Sequence, residues 1–363
     1  MNWKLTRGLV VVGVVFAAVL AVGGQQRIRI PLHLIGVIPI PGNPVASTDI
    51  TWVDQLRGRL YLTDRSNQGI DIFDAVDNVF VGRIPGFVGP TGVVGTGGPD
   101  GVVVTEDNQL WAGDGNGLVQ VADLNLDPPR IIRTISTGPV SDGRADELGY
   151  DPLERIILIA TPGANPRYAT FISADSYQIL GKLVFPDASG LEQPVWDAQL
   201  HRFLLTVPSL PTSYVAVIDP VKMTLTKKFP LGTCGATGLA LAPSQRLLTS
   251  CGRPIILSAI DGHIITTITQ VNGGDQIWYN GGDGSLYVTG ADAAGQQSLG
   301  VIDVATATWQ QNLPVTRGKN PSAYEVNHHV FVTITAPPVG TADVTLCAAF
   351  GLTGRGCMAV YSH

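Results

Sequence analysis

Five carboxylates recur at the head of one repeated motif: Asp49, Asp100, Asp146, Glu192 and Asp275, with Thr237 and Ser322 at the two remaining copies. If the fold gathers them at one mouth, they repel unless they are solvated, protonated or neutralised by a cation. Oxygen ligands in that number suit Ca²⁺ or Mg²⁺ better than a transition metal. An ion held there could polarise a substrate carbonyl. The plainer reading is that these acids accept hydrogen bonds from backbone amides at strand ends. Trp52 and Trp278 fall close to the acids and could stack on a sugar or a flat cofactor such as a quinone. Their plainer role is packing between repeats.

Other chemistry is excluded or weak. No HxxxH, CxxCH or GxSxG occurs, which removes zincin, attached c-type haem and nucleophile-elbow readings. His328 and His329 are adjacent and would face opposite sides of a strand, so they are a poor joint metal site. The segment Gly89–Gly101 is Gly-rich but lacks a following helix and Lys, so it reads as a connection rather than a phosphate cradle. A net charge of −6 with no basic run argues against a nucleic-acid surface.

The elements that must position the acids repeat along the chain. RLYLT then GIDIFD is followed by QLWAG then LVQVAD, and by RIILIAT then ATFISAD. RFLLTV–YVAVID, RLLTSC–IILSAID, SLYVTG–LGVIDV and HVFVTI–CMAVYS continue the series to seven copies. The acid-bearing positions are 38 to 51 residues apart, which is room for four short strands in each copy. Gly (43) and Pro (25) are spread along the whole length as turn punctuation. A second recurring acid, at Asp74, Asp123, Asp175, Asp219, Asp261 and Asp303, closes the third strand and reads as a turn former. The expected fold is all-β: a seven-bladed β-propeller of four-stranded antiparallel blades. The last copy stops after its third strand, so a strand near Leu34–Gly42 is expected to complete it and close the ring.

Strand pairs such as RLYLT…GIDIFD and SLYVTG…LGVIDV resemble the YVTN-type repeats of exported bacterial and archaeal propellers. The resemblance covers about residues 34–361 and implies the fold more than the activity. It is compatible with a non-enzymatic protein that binds a small molecule or a protein partner at its central funnel. It is also compatible with a divalent-metal-dependent hydrolase similar to the gluconolactonase group, or with a quinone- or haem-linked oxidoreductase propeller. In the first two readings Asp49, Asp100, Asp146, Glu192 and Asp275, with Trp52 and Trp278, would line the site.

Export is expected from the N-terminus. Lys4 and Arg7 precede the charge-free apolar stretch Gly8–Val22, and Ala21 and Gly23 have the spacing a signal peptidase accepts. Residues 1–24 therefore read as a signal peptide or anchor, and 25–363 as one propeller domain in the periplasm or outside the cell. An uncleaved N-terminal segment would be the one attachment to a membrane, and a monomer is expected. Four cysteines fit an oxidising compartment, paired locally as Cys234–Cys251 and Cys347–Cys357.

Overall fold

Each repeat folds as four antiparallel strands, and seven such sheets stand around one axis as a seven-bladed β-propeller. The structure is a computed structural model and describes residues 30–363. The segment read as a signal peptide or anchor lies outside the described residues. In the first blade the strands run Thr51–Asp54, Arg59–Asp64, Gly69–Asp74 and Val79–Pro85, from the axis outwards. The first strands of successive blades are neighbours all the way round, the seventh (Gly318–Tyr324) lying beside the first.

The residue pattern follows from this position. Middle strands are covered on both faces by neighbouring blades, so they are apolar runs rather than alternations. Ile156–Thr161, for example, is buried at every residue. Outer strands have one wet face and alternate: Val79 and Val81 are exposed, whereas Ile84 is buried. The core is correspondingly divided into seven apolar clusters, one between each pair of adjacent blades. The cluster between the seventh and first blades joins Phe331 and Val360 to Leu60 and Phe73.

The seventh blade draws its fourth strand from the start of the described chain. His33–Pro39 pairs antiparallel with Cys357–Ser362, from His33 opposite Ser362 to Pro39 opposite Cys357. The strand ends earlier than the expected Gly42, and Pro41 beyond it has no N–H to donate to a ladder. Both disulfides form as expected, Cys234–Cys251 and Cys347–Cys357, and no cysteine is free. No helix among the described residues is long and apolar enough to cross a membrane.

Five of the six turn-forming acids accept a turn amide, and Asp175 does not. Asp74, Asp123, Asp219 and Asp303 each accept a backbone N–H from two or three residues on. In the third and fifth blades the third strands end at Ser173 and Ser258, and these hydroxyls accept the turn amides. Asp261 still accepts the backbone N–H of His263 two residues on, whereas Asp175 pairs with Arg155.

Candidate functional site

The acids at the head of the repeats sit just ahead of the innermost strands. Four of them hold the same register, because their own N–H groups each donate to the second strand: Asp49 to Thr63, Asp100 to Gly113, Asp146 to Ala160 and Glu192 to Thr206. The seventh position was expected at Ser322. That residue lies inside its strand opposite Phe331, because the pairing slips between Lys319 and Pro321. Asn320 faces the acids instead, donating from Nδ2 to the Asp49 carbonyl at 3.2 Å and interacting with the Asp275 side chain. Thr237 is spent on a hydrogen bond to the Gly274 carbonyl at 2.6 Å.

Two glycines let the blade-three acids approach. A Cβ on Gly113 would lie 2.2 Å from the Asp146 carbonyl oxygen, and one on Gly101 would lie 2.7 Å from the Glu147 Cα. The segment Asp146–Glu147 thus packs directly on the backbone of the second blade.

Arginines, which repeat periodicity does not flag, organise three of the acids. Arg65 Nη2 binds both Asp49 Oδ2 and Asp100 Oδ1. Arg144 donates from Nη2 to Asp146 Oδ2 at 2.8 Å and lies 3.5 Å from Asp100 Oδ1. One oxygen from each of Asp49, Asp100 and Asp146 falls within 4.8 Å of the others; Glu192 and Asp275 are outside that group. Burial pushes the Asp100 carboxyl well above the usual carboxylate range, with Arg65 and Arg144 pulling it back. Asp146 is raised for the same reason, and Arg144 again opposes the shift.

The remaining acids have no such partner. The side chain of Glu147, a residue only 6% exposed, has no hydrogen-bond or ion-pair partner among the described residues. Burial raises its pKa strongly, and Asp146, Asp275, Asp49 and Glu192 add to the rise. Glu192 is pushed up to about 8, first by burial and then by Asp146 and Asp275. Asp275 is exposed yet closely surrounded by protein, and its pKa is raised by that desolvation and by Asp49, with Lys319 opposing. The mouth therefore carries six carboxylates against the three cations Arg65, Arg144 and Lys319.

Behind the mouth the innermost strands enclose a cavity of about 410 Å³. Glu147 stands at its wall together with Trp52, Trp196, Trp278, Tyr150 and Leu241. Trp52, Trp196 and Trp278 line this cavity while also packing against the clusters between blades. Trp111, by contrast, is fully buried between blades and stacks on Tyr177 with centroids 5.8 Å apart. At the far ends of the inner strands Tyr150 donates to Glu106 at 2.6 Å. Arg155 there binds Glu106, Asp107 and Asp175.

These features define a seven-bladed β-propeller with a polar mouth over an apolar central channel. No sequence family and no curated protein matches the chain. Among solved structures it is similar to a chain of a mitotic checkpoint complex, with TM-score 0.67 and 12% identity over 100% of this chain and 99% of that one. It is also similar to hydrazine synthase of Kuenenia stuttgartiensis, with TM-score 0.65 and 10% identity over 80% of this chain and 93% of that one. At such identity the likeness establishes the fold alone.

Proposed function

We propose that this chain is an exported propeller of the YVTN-repeat type that binds a ligand in its central channel without transforming it. The observation that carries the reading is the cavity itself: an apolar wall with three tryptophans, opening at one end on convergent charge. Concave, mostly apolar sites with a few placed polar groups are the usual form of small-molecule sites. Export is supported by two disulfides, which persist in oxidising compartments. The test is a panel of small aromatic fragments of mixed charge, screened by ligand-observed NMR against the wild type and Leu241→Trp, which fills the cavity. Hits that disappear in the variant support the reading. An empty screen, or hits indifferent to the variant, overturns it.

A metal-dependent hydrolase is the second reading, favoured by the close approach of Asp49, Asp100 and Asp146. Arg65 and Arg144 already hold those oxygens, so an ion would have to displace two guanidinium groups. A melting temperature that rises with Ca²⁺ and falls with EDTA would favour the hydrolase; a flat titration would favour binding alone.

A further inference from the structure

We infer that the ligand of this channel is an organic cation, its ammonium group seated at Glu147 and its apolar body against Trp52, Trp196 and Trp278. The inference rests on the channel-binding reading and specifies its ligand class. Its first support is a contrast among equivalent residues. The residue following the acid is Glu147 in the third blade, Gln193 in the fourth and Gln276 in the sixth. Both glutamines are spent on the inner strands of other blades. Gln193 Oε1 accepts from Leu239 N at 2.8 Å, and Gln276 Oε1 accepts from Thr51 N at 3.0 Å while its Nε2 donates to the Thr51 carbonyl at 2.6 Å. Glu147 makes no bond of this kind, although it is more than nine-tenths buried and lines the cavity. A buried carboxyl without a partner is costly to retain.

The second support is the sign of the surroundings. Asp146, Asp275, Asp49 and Glu192 all act on Glu147 in one direction. The two arginines at the mouth are already committed, Arg65 to Asp49 and Asp100, and Arg144 to Asp146. Lys319 acts on Asp275. The missing charge at Glu147 is therefore positive.

The third support concerns the kind of cation. Hard divalent ions take six or more oxygen ligands, and no cluster of metal-ligating groups among the described residues includes Glu147. The cavity that Glu147 lines has mostly aromatic and aliphatic walls. Indole faces attract ammonium groups, most strongly when the site is desolvated. Carboxylates at the head of a cavity whose wall includes three indoles suit an alkylated ammonium better than a bare metal ion.

The experiment uses the mature chain and three probes of similar size: meta-hydroxyphenyl-trimethylammonium, its neutral carbon counterpart meta-tert-butylphenol, and meta-hydroxybenzoate. Isothermal titration calorimetry is run on the wild type and on Glu147→Gln. The cation is expected to bind about tenfold or more tighter than the neutral probe, with the anion weakest. In Glu147→Gln the preference should vanish while the neutral probe keeps its affinity, which also shows that the variant is folded. The cation must compete with a proton on Glu147, whose pKa burial raises, so its preference should grow as pH rises and Glu147 ionises. Equal binding of all three probes, or a cation preference unchanged in Glu147→Gln, overturns the cation assignment and leaves the channel reading standing. No binding of any probe overturns both.

Discussion

Arg65 reaches from the first blade to Asp100 at the head of the second, and their ion pair is almost completely enclosed: the Arg65 side chain is 16% exposed and that of Asp100 is 0%. The same Nη2 atom also holds Asp49, so one guanidinium joins the acids of two blades. This relationship changes what a ring of acids means. Three of the carboxylates are held by two guanidinium groups as part of the scaffold, and the binding capacity of the mouth shifts to the unpaired ones.

Removing Arg65 should therefore destabilise the protein rather than relieve it. Arg65→Ala leaves Asp100 buried without its partner, and breaking such a pair typically costs about 3–5 kcal/mol. Asp100→Asn in the Arg65→Ala background should recover part of that loss. Urea unfolding of the four members of this double-mutant cycle measures it. A coupling energy near zero would mean that the pair is electrostatically idle.

The unpaired acids predict the opposite response. The Glu192 carboxyl titrates at about 8 in the folded chain, against the ordinary glutamate value near 4.5 in the unfolded one. The folded state thus binds the proton more tightly, and stability falls as pH rises through the interval between the two values. Below the lower value both states are protonated and the group contributes nothing. Glu192→Gln should melt with the wild type near pH 5 and progressively above it towards pH 8. Identical melting curves at both ends of that window would show that Glu192 carries no such penalty.

The architecture could be read from the sequence because middle strands buried on both sides leave long apolar runs, as in Ile156–Thr161, and these recur in order. Shared repeat position also identified four acids in one register. What periodicity hid are the residues that do not repeat. Arg65 and Arg144 come from connections between strands rather than from the repeated strands, although the run Arg144-Ala-Asp146-Glu147 was a visible sign of a charged cluster. Ser322 was misplaced because the seventh blade slips in register between Lys319 and Pro321. Glu147 was passed over because it stands beside Asp146 rather than at the repeating position itself.

Gly113 offers a test of how the third blade is seated. Its backbone is not in the left-handed region, so Gly113→Ala acts through contact alone, placing a methyl 2.2 Å from the Asp146 carbonyl. The blade-three head must move, at a cost of about 1–3 kcal/mol. The displacement should weaken binding of channel probes as well as stability. Stability lost with probe affinity intact would separate the packing of Asp146 from the positioning of Glu147.

The last prediction concerns the strand His33–Pro39, which supplies the outer edge of the seventh blade. Leu32, Ile38 and Ile40 on this segment are 1–3% exposed, and Leu32 exchanges hydrogen bonds with Gln311 of the sixth blade in both directions. Three buried aliphatic side chains contribute roughly 5 kcal/mol in total by apolar transfer. Removing the segment also bares the edge of Cys357–Ser362 for pairing with other chains. A chain that begins at Gly42 should therefore melt roughly 10 °C lower and tend to associate, since each kcal/mol corresponds to a few degrees in a domain of this kind. A synthetic peptide spanning residues 30–41 should restore the melting temperature by adding the strand in trans. Melting within a degree or two of the full chain, or no response to the peptide, would show that the ring is held by its seven inter-blade clusters without this strand.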